Sequence, residues 1–177
     1  GVGLCALLGG LVAGAGRIIA IDVADDKLGL ARQLGATDTF NASDPECVAK
    51  VIEATKGGVE YAFEVAGVVD AMQTSYAITR RGGMTVTSGI SQHQHSFEIP
   101  HAQLVVEERA IKGSYMGSSI VRQDVPKFIN LYKQGKLPVD KLRSGNIGLE
   151  DLNKGFDKLA AGDAVRQMLV MHREFNT

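Results

Sequence analysis

Gly1-Val2-Gly3-Leu4 feeds an apolar, helix-like run, and the segment Arg17-Ile18-Ile19-Ala20-Ile21-Asp22 closes on a carboxylate. The carboxylate follows the glycines by about 20 residues, the distance at which a ribose-binding acid follows a phosphate-binding turn. A pyrophosphate must approach backbone N–H groups at a helix N-terminus, where the helix dipole favours anions, and side chains would block that approach. Asp22 ends a buried strand and can accept both hydroxyls of an adenosine ribose; its charge would repel a 2′-phosphate, which favours NAD over NADP. Plainer roles compete with both readings. A glycine pair can simply open a chain, and Asp22 can cap the next helix. Asp25 suits that cap better, which leaves Asp22 for the ribose. No strand precedes Gly1 in this sequence, so the chain reads as the cofactor-holding part of something larger.

In an open parallel sheet, ligands lie beyond the carboxyl ends of the strands. The expected ends are Asp22, Val65-Ala66-Gly67, Ser88-Gly89-Ile90 and Ser114-Tyr115-Met116. Several are small or glycine-adjacent, which leaves room for a flat ligand. Ordinary turn chemistry explains each glycine singly but not their joint placement. His93, His95 and His101 gather in a polar stretch without a fourth ligand, and loops collect polar residues anyway, so no metal ligand is assigned in this chain. Glu107-Glu108-Arg109 reads as a solvated face. Arg80-Arg81 reads as a cationic helix end rather than a phosphate site.

These residues need elements to position them, and the pattern alternates helix with strand. Leu4, Leu7, Leu8, Leu11 and Val12 recur at helical spacing, stopped by Gly14-Ala15-Gly16. Residues 18–23 form a continuous apolar strand, as expected where both sheet faces are covered. Asp25-Asp26 predicts a cap and acidic first turn for a helix through Leu34, closed by Gly35. Thr39-Phe40 is a short strand, and Ser43-Asp44-Pro45 predicts the start of a helix through Lys56. Val59, Tyr61, Phe63 and Val65 alternate with Glu60, Ala62 and Glu64 as a strand. A helix over 69–79 is expected to end in Arg80-Arg81-Gly82-Gly83, with strands following at 84–88 and 110–114. Residues 91–100 form a loop, and 104–108 fit a short helix or an edge strand equally. Helices near 124–134 and 149–161 and a strand over 165–171 complete the chain. The rhythm up to Tyr115 predicts an α/β fold with a parallel sheet covered on both faces.

The 177 residues suffice for one sizeable core and a small appendage, and a net charge of -1 argues against nucleic acid as a partner. No apolar stretch approaches the roughly 20 residues of a membrane span. The apolar opening could suggest a signal peptide, but it lacks an initiator Met and a basic start. Cys5 and Cys47 stand far apart without a CxxC neighbour, so neither a disulfide nor a structural zinc site is expected. Both read as small apolar helix residues in a reducing, cytoplasmic setting.

Together these stretches resemble the zinc-dependent alcohol dehydrogenase branch of the medium-chain dehydrogenase/reductase superfamily. The matching segments occur in family order: Gly1-Val2-Gly3-Leu4, Ile19-Ala20-Ile21-Asp22, Lys27 with residues 31–37, Phe63-Glu64-Val65-Ala66-Gly67, residues 81–89, Ile111-Lys112-Gly113, Asn153-Lys154-Gly155-Phe156 and Gly162-Asp163-Ala164-Val165-Arg166. The resemblance covers essentially the whole chain. It implies a Rossmann-type doubly wound sheet lacking its first strand over residues 1–117, and a C-terminal α+β segment over 118–177 that returns to the catalytic domain. It also implies that Gly1, Val2 and Gly3 end the pyrophosphate turn, with Asp22 and Lys27 at the adenosine ribose. Val65 and Ala66 would wall the riboses, Ser88, Gly89 and Ile90 would sit beside the nicotinamide, and Ser114, Tyr115 and Met116 would meet its carboxamide. Arg166 would return to the pyrophosphate.

The family's zinc ligands and proton-relay groups have no counterpart in this sequence, so no catalytic residue is assigned in the chain, and zinc belongs to the intact parent. The resemblance implies an alcohol or aldehyde substrate and a homo-oligomer, dimer or tetramer, with the strand near 110–114 pairing across a two-fold axis. Three other readings stay open on the residues alone: a zinc-free, NADPH-preferring reductase of the same superfamily, a methyltransferase, and a non-catalytic nucleotide-binding module. The missing strand predicts a gap between the strands at 18–23 and 59–65, and hence a chain that is marginal or aggregates by itself.

Overall fold

The computed structural model of the chain describes residues 1–171. The last residues of the strand expected over 165–171 are followed by six that lie outside this description. Helix α1 (Val2–Val12) leads into strand β1 (Ile19–Asp22), then α2 (Asp25–Gln33), β2 (Asp38–Asn41), α3 (Cys47–Thr55) and β3 (Val59–Glu64). Next come α4 (Val69–Ile78), β4 (Thr79–Thr87), α5 (His101–Val106), β5 (Ala110–Gly113), α6 (Val121–Lys133), β6 (Gly145–Gly148), α7 (Leu152–Ala161) and β7 (Gln167–Val170). The segment around 104–108, ambiguous by periodicity, is therefore helical.

Every strand pair is parallel: β1 with β2, β3 with β4, β4 with β5, and β6 with β7. The strands fall into separate sheets, and β1 makes no ladder with β3. The expected gap is therefore present. Helices hold the two sides together across it. Ile18 and Ala20 pack into a core built on Leu7, Leu8, Ala31, Leu34 and Leu142, while Ile19 and Ile21 pack into a second core built on Cys47, Val51, Ala62 and Ile78. Alternate side chains of one strand thus feed cores on opposite faces, as a doubly wound sheet requires. The second core reaches from β1 to β3, so hydrophobic burial joins what the ladder does not. Cys47 lies in it, and burial raises its thiol pKa; Cys5 is exposed on α1, and both thiols are free.

Four local expectations need correction. Asp25 does not cap α2: Ala24 is the N-cap, and Asp25 Oδ1 accepts a hydrogen bond from Asn41 Nδ2 at 2.8 Å. The helix expected from Ser43 begins at Cys47 because Asp44 instead closes a turn, its Oδ1 accepting the Glu46 N–H at 2.9 Å. Arg80-Arg81-Gly82-Gly83 belongs to β4, not to the end of α4. Val59 pairs with Thr79 and Tyr61 with Met84, so the extra residues bulge out of the ladder. There Arg80 pairs with Glu60 at 2.9 Å and Arg81 donates to the Val106 carbonyl at 3.3 Å. Finally, Arg109 is not on a solvated face. Its side chain is 9% exposed, ion-paired to Glu107 at 2.6 Å, bonded to the Tyr76 carbonyl at 2.7 Å, and 5.0 Å from the Tyr76 ring centroid.

Strand β3 faces the opposite way from what its apolar alternation suggests. Ala62 and Glu64 are buried, whereas Tyr61 and Phe63 are 63% and 58% exposed. The face carrying Ala62 meets α3 and α4, and the other has no helix over it among the described residues.

At the base of β1, Arg17 grips Asp38 through both of its carboxylate oxygens at 2.7 and 2.8 Å, and Thr37 donates to the same group. The Arg17 hydrogen bonds, aided by Thr37, hold the Asp38 carboxyl down to about 2, against an ordinary value of 3.8. The unfolded chain therefore binds a proton here that the folded chain does not as pH falls below 3.8, so this stabilisation is complete above that value and is lost through about 2. In Asp38→Asn, the acid limb of stability against pH should lose up to one proton of uptake. Urea midpoints measured between pH 5 and 2 check this, and an unchanged slope would count against it.

Candidate functional site

The glycine pair lies where α1 begins, with Gly1 as its N-cap and no side chain capping the helix. A Cβ built on Gly1 would come no closer than 3.6 Å to its nearest neighbour, the Val165 carbonyl oxygen, and one on Gly3 would lie 3.4 Å from Val65 Cγ2. Both are ordinary contacts, so internal packing does not demand glycine at either position. The absent side chains instead leave the first N–H groups of α1 open to an anion from outside. Val2, between them, is 59% exposed.

The same contacts show which parts of the chain converge. Val65 follows β3, and Val165 lies in the segment after α7, so both flank the start of α1. A Cβ on Gly162, the C-cap of α7, would lie 3.2 Å from Lys27 Nζ. Residues 162–166 therefore run from Lys27 on α2 to the first turn of α1. Their backbone is tied to Ser144, whose Oγ accepts the Val165 N–H at 2.8 Å and whose N–H donates to the Arg166 carbonyl at 2.7 Å. Arg166 is exposed beside this segment.

Asp22 ends β1 half-buried, and its Oδ1 accepts the Ala24 N–H at 3.0 Å. That bond fixes the carboxylate at the turn between strand and helix. Asn41, at the end of β2, ties down the same turn through Asp25 and the Val23 carbonyl. Asp22, rather than Asp25, is therefore the carboxylate bonded to the backbone at the entry to α2, and its second oxygen is the one left for a ligand.

Strands β3, β4 and β5 end in register, Glu64 opposite Thr87 and Thr87 opposite Gly113. Val65, Ala66, Ser88, Gly89, Ile90 and Ser114 therefore share one edge of that sheet. Ser114 continues the ladder by donating its N–H to the Thr87 carbonyl at 2.8 Å. Tyr115 and Met116 sit in the helical turn Tyr115–Ser118, 77% and 69% exposed. A cavity of about 580 Å³ opens between 67–70 and 90–96, beside Ile90.

Sequence reasoning passed over Glu64, read there only as the polar partner in an alternating strand. It is 3% exposed, and both of its oxygens accept hydrogen bonds at the strand ends. A carboxylate just before a glycine turn was the available signal. The histidine cluster does not assemble: His101 starts α5 while His93 and His95 stay in the loop. Among the described residues, no group of three or more His, Cys, Asp or Glu stands together as a metal site.

A family model described as zinc-binding dehydrogenase matches residues 1–134. The chain is 36% identical over 174 residues to "Probable S-(hydroxymethyl)glutathione dehydrogenase 1" of Schizosaccharomyces pombe, covering 97% of this chain and 46% of that protein. It is 33% identical over 178 residues to the S-(hydroxymethyl)glutathione dehydrogenase of Paracoccus denitrificans, covering 96% and 47%. The solved benzyl alcohol dehydrogenase of Acinetobacter calcoaceticus superposes with a TM-score of 0.92 at 30% identity, over 97% of this chain and 47% of that one. The chain spans about half the length of the curated relatives it matches.

Proposed function

From the premise that this chain belongs to the zinc-binding dehydrogenase family, we propose that it is the coenzyme-binding portion of an NAD-dependent alcohol dehydrogenase. Residues 1–117 form the NAD-binding unit and 118–177 the segment returning toward the substrate domain. The observation that carries the coenzyme reading is the convergence of Val65, after β3, and residues 162–166 on the glycine-bearing start of α1. A zinc-free reductase, a methyltransferase and a bare nucleotide-binding module are less well supported, because the matched relatives are named as dehydrogenases of the zinc-binding family.

In this reading the N–H groups of Val2 and Gly3 receive the pyrophosphate, and Arg166 closes over it from the opposite side. Asp22 accepts the two adenosine ribose hydroxyls, with Lys27 beside them. Val65 and Ala66 support the riboses. Ser88, Gly89 and Ile90 shape the surface under the nicotinamide, and Ser114, Tyr115 and Met116 meet its carboxamide through backbone groups. Bound NAD supplies the acceptor for the hydride that leaves the carbinol carbon as an alcohol becomes an aldehyde or ketone. Metal ligands and substrate-contacting groups come from residues outside these 177. The protein works as a homo-oligomer, dimer or tetramer, and in the cytoplasm, consistent with two free thiols. No helix among the described residues is long and apolar enough to cross a membrane.

Calorimetric titration of the intact protein with NADH, NADPH and S-adenosylmethionine tests this. NADH should bind tightest. Asp22→Ser should cut the preference for NADH over NADPH by about 10-fold or more, since it removes both a charge-assisted ribose contact and the repulsion of a 2′-phosphate. Equal or tighter NADPH binding by the unmodified protein would overturn the choice of NAD, and no binding of either would overturn the coenzyme reading.

A further inference from the structure

Beneath the edge where β3 and β4 end lies one buried carboxylate. Glu64 Oε1 accepts the N–H of Ala66 at 2.7 Å and of Gly67 at 2.6 Å, and Oε2 accepts the Thr87 hydroxyl at 2.7 Å. The Glu64 carbonyl takes the N–H of Ser88 at 2.9 Å and of Gly89 at 3.3 Å. One residue thus satisfies backbone donors from both turns. The turns also interlock. A Cβ on Gly67, whose φ is +74°, would lie 2.8 Å from the Ile90 carbonyl oxygen, and one on Gly89 would lie 2.7 Å from Glu64 Oε2 and collide with the Gly67 backbone. Removal of the carboxylate takes away the acceptor shared by the Ala66 and Gly67 N–H groups and the Thr87 hydroxyl.

We propose that Glu64 is a positioning residue that locks turns 65–67 and 88–90 into a single platform for the nicotinamide half of the coenzyme. The proposal rests on the coenzyme reading above and deepens it. Glu64 touches no coenzyme atom itself; it sets the backbone that does. Its chemistry fits the task, because an acceptor-only group is what a nest of N–H and O–H donors needs. Glutamine can imitate this: its carbonyl oxygen accepts the two N–H groups, and its amide donates to a Thr87 hydroxyl turned to accept.

The test uses the intact protein as unmodified chain, Glu64→Ala and Glu64→Gln, with NADH and AMP as probes. AMP carries only the adenosine half: it meets Asp22 and the adenosine side of Val65 and Ala66, but not the turn 88–90 that the lock joins to them. In Glu64→Ala the Kd for NADH should rise by about 10-fold or more while that for AMP changes by about 2-fold or less; orphaned donors in one turn account for a loss of that size. Glu64→Gln should restore NADH binding to within about 3-fold. General destabilisation would not move the NADH-to-AMP ratio, so an equal loss for both probes, or no loss, overturns the proposal. Amide hydrogen exchange at Ala66 and Gly67 supplies a readout without coenzyme. It should be about 10-fold faster in Glu64→Ala and unchanged in Glu64→Gln, and unchanged exchange in both overturns the lock. If the unmodified protein binds no NADH while exchange behaves as expected, the coenzyme reading fails and the lock stands. Should Glu64→Ala not fold, Thr87→Val removes one donor from the same carboxylate. It should weaken NADH about 3-fold with AMP unchanged, and no change in that ratio overturns the proposal.

Discussion

Replacing Gly89 by alanine is expected to abolish measurable NADH binding at micromolar protein and to destabilise the fold by about 2–3 kcal/mol. The added methyl would be driven into the Gly67 backbone and would lie 2.7 Å from Glu64 Oε2. Neither obstacle can swing aside: one is main chain, and the other is held by the Thr87 hydroxyl and lies 3% exposed. Relief requires the turns after β3 and β4 to part, which breaks the hydrogen bonds from Ala66 and Gly67 to Glu64. Those turns carry Val65, Ala66, Ser88 and Ile90, so the stability loss and the binding loss have one origin. Thermal melts of the intact protein should show a lowered midpoint. A control such as Gly9→Ala, inside α1 with open space around it, should leave NADH affinity nearly unchanged and raise stability by about 0.5–1 kcal/mol, the opposite sign. Wild-type melting and NADH affinity in Gly89→Ala would refute the close approach of the two turns.

Residues 1–177 produced alone are expected to lack a single cooperative unfolding transition and to associate at micromolar concentration. The edges of β1 and β3 that face each other carry no ladder partner among the described residues. Unpaired strand edges recruit other chains, and each backbone group left unpaired away from water costs about 1–3 kcal/mol. Exposed apolar side chains add to this: Tyr61 and Phe63 stand open on β3, and elsewhere α6 buries no residue while Phe128, Ile129 and Tyr132 are 49%, 48% and 46% exposed. Exposed apolar surface of either kind favours association. Differential scanning calorimetry and sedimentation should show broad or absent melting and concentration-dependent species. A soluble monomer with one sharp transition would show that the core joining Ile19 and Ile21 of β1 to Ala62 of β3 suffices by itself. A strand engineered to pair with both edges should restore cooperativity and monomer.

Local sequence made much of the fold legible. The leucine spacing of α1, the apolar run of β1 and the glycine at position 35 each act through neighbours a few residues away, and each appears where expected. Parallel pairing followed from the strand–helix rhythm, because a helix between two strands returns the chain to the same end of the sheet. The gap between β1 and β3 was expected from the family resemblance, which implies a central strand with no counterpart in these residues. Position along the chain also marked where candidate site residues should lie, since strand ends and helix starts are where such a fold meets ligands.

Where competition between partners decided the outcome, the sequence was silent. Asp25 has the right type for a cap, but Asn41 on another strand claims it. Arg80 and Arg81 follow a helix, but pairing with β3 draws them into a bulge. Arg109 looks like a surface charge until Tyr76 and Glu107 enclose it. Strand β3 alternates in the expected period, yet burial falls on Ala62 and Glu64 because α3 and α4 cover that side. A period of two names two faces and leaves open which one meets a helix. The sequence alone thus determined the succession of elements up to β5, apart from the choice at 104–108, but not β6 (Gly145–Gly148). Only the tertiary structure decided that Glu64 lies inside and joins two turns, since its partners Gly67 and Thr87 belong to different strand ends that only folding brings within 3 Å of one carboxylate.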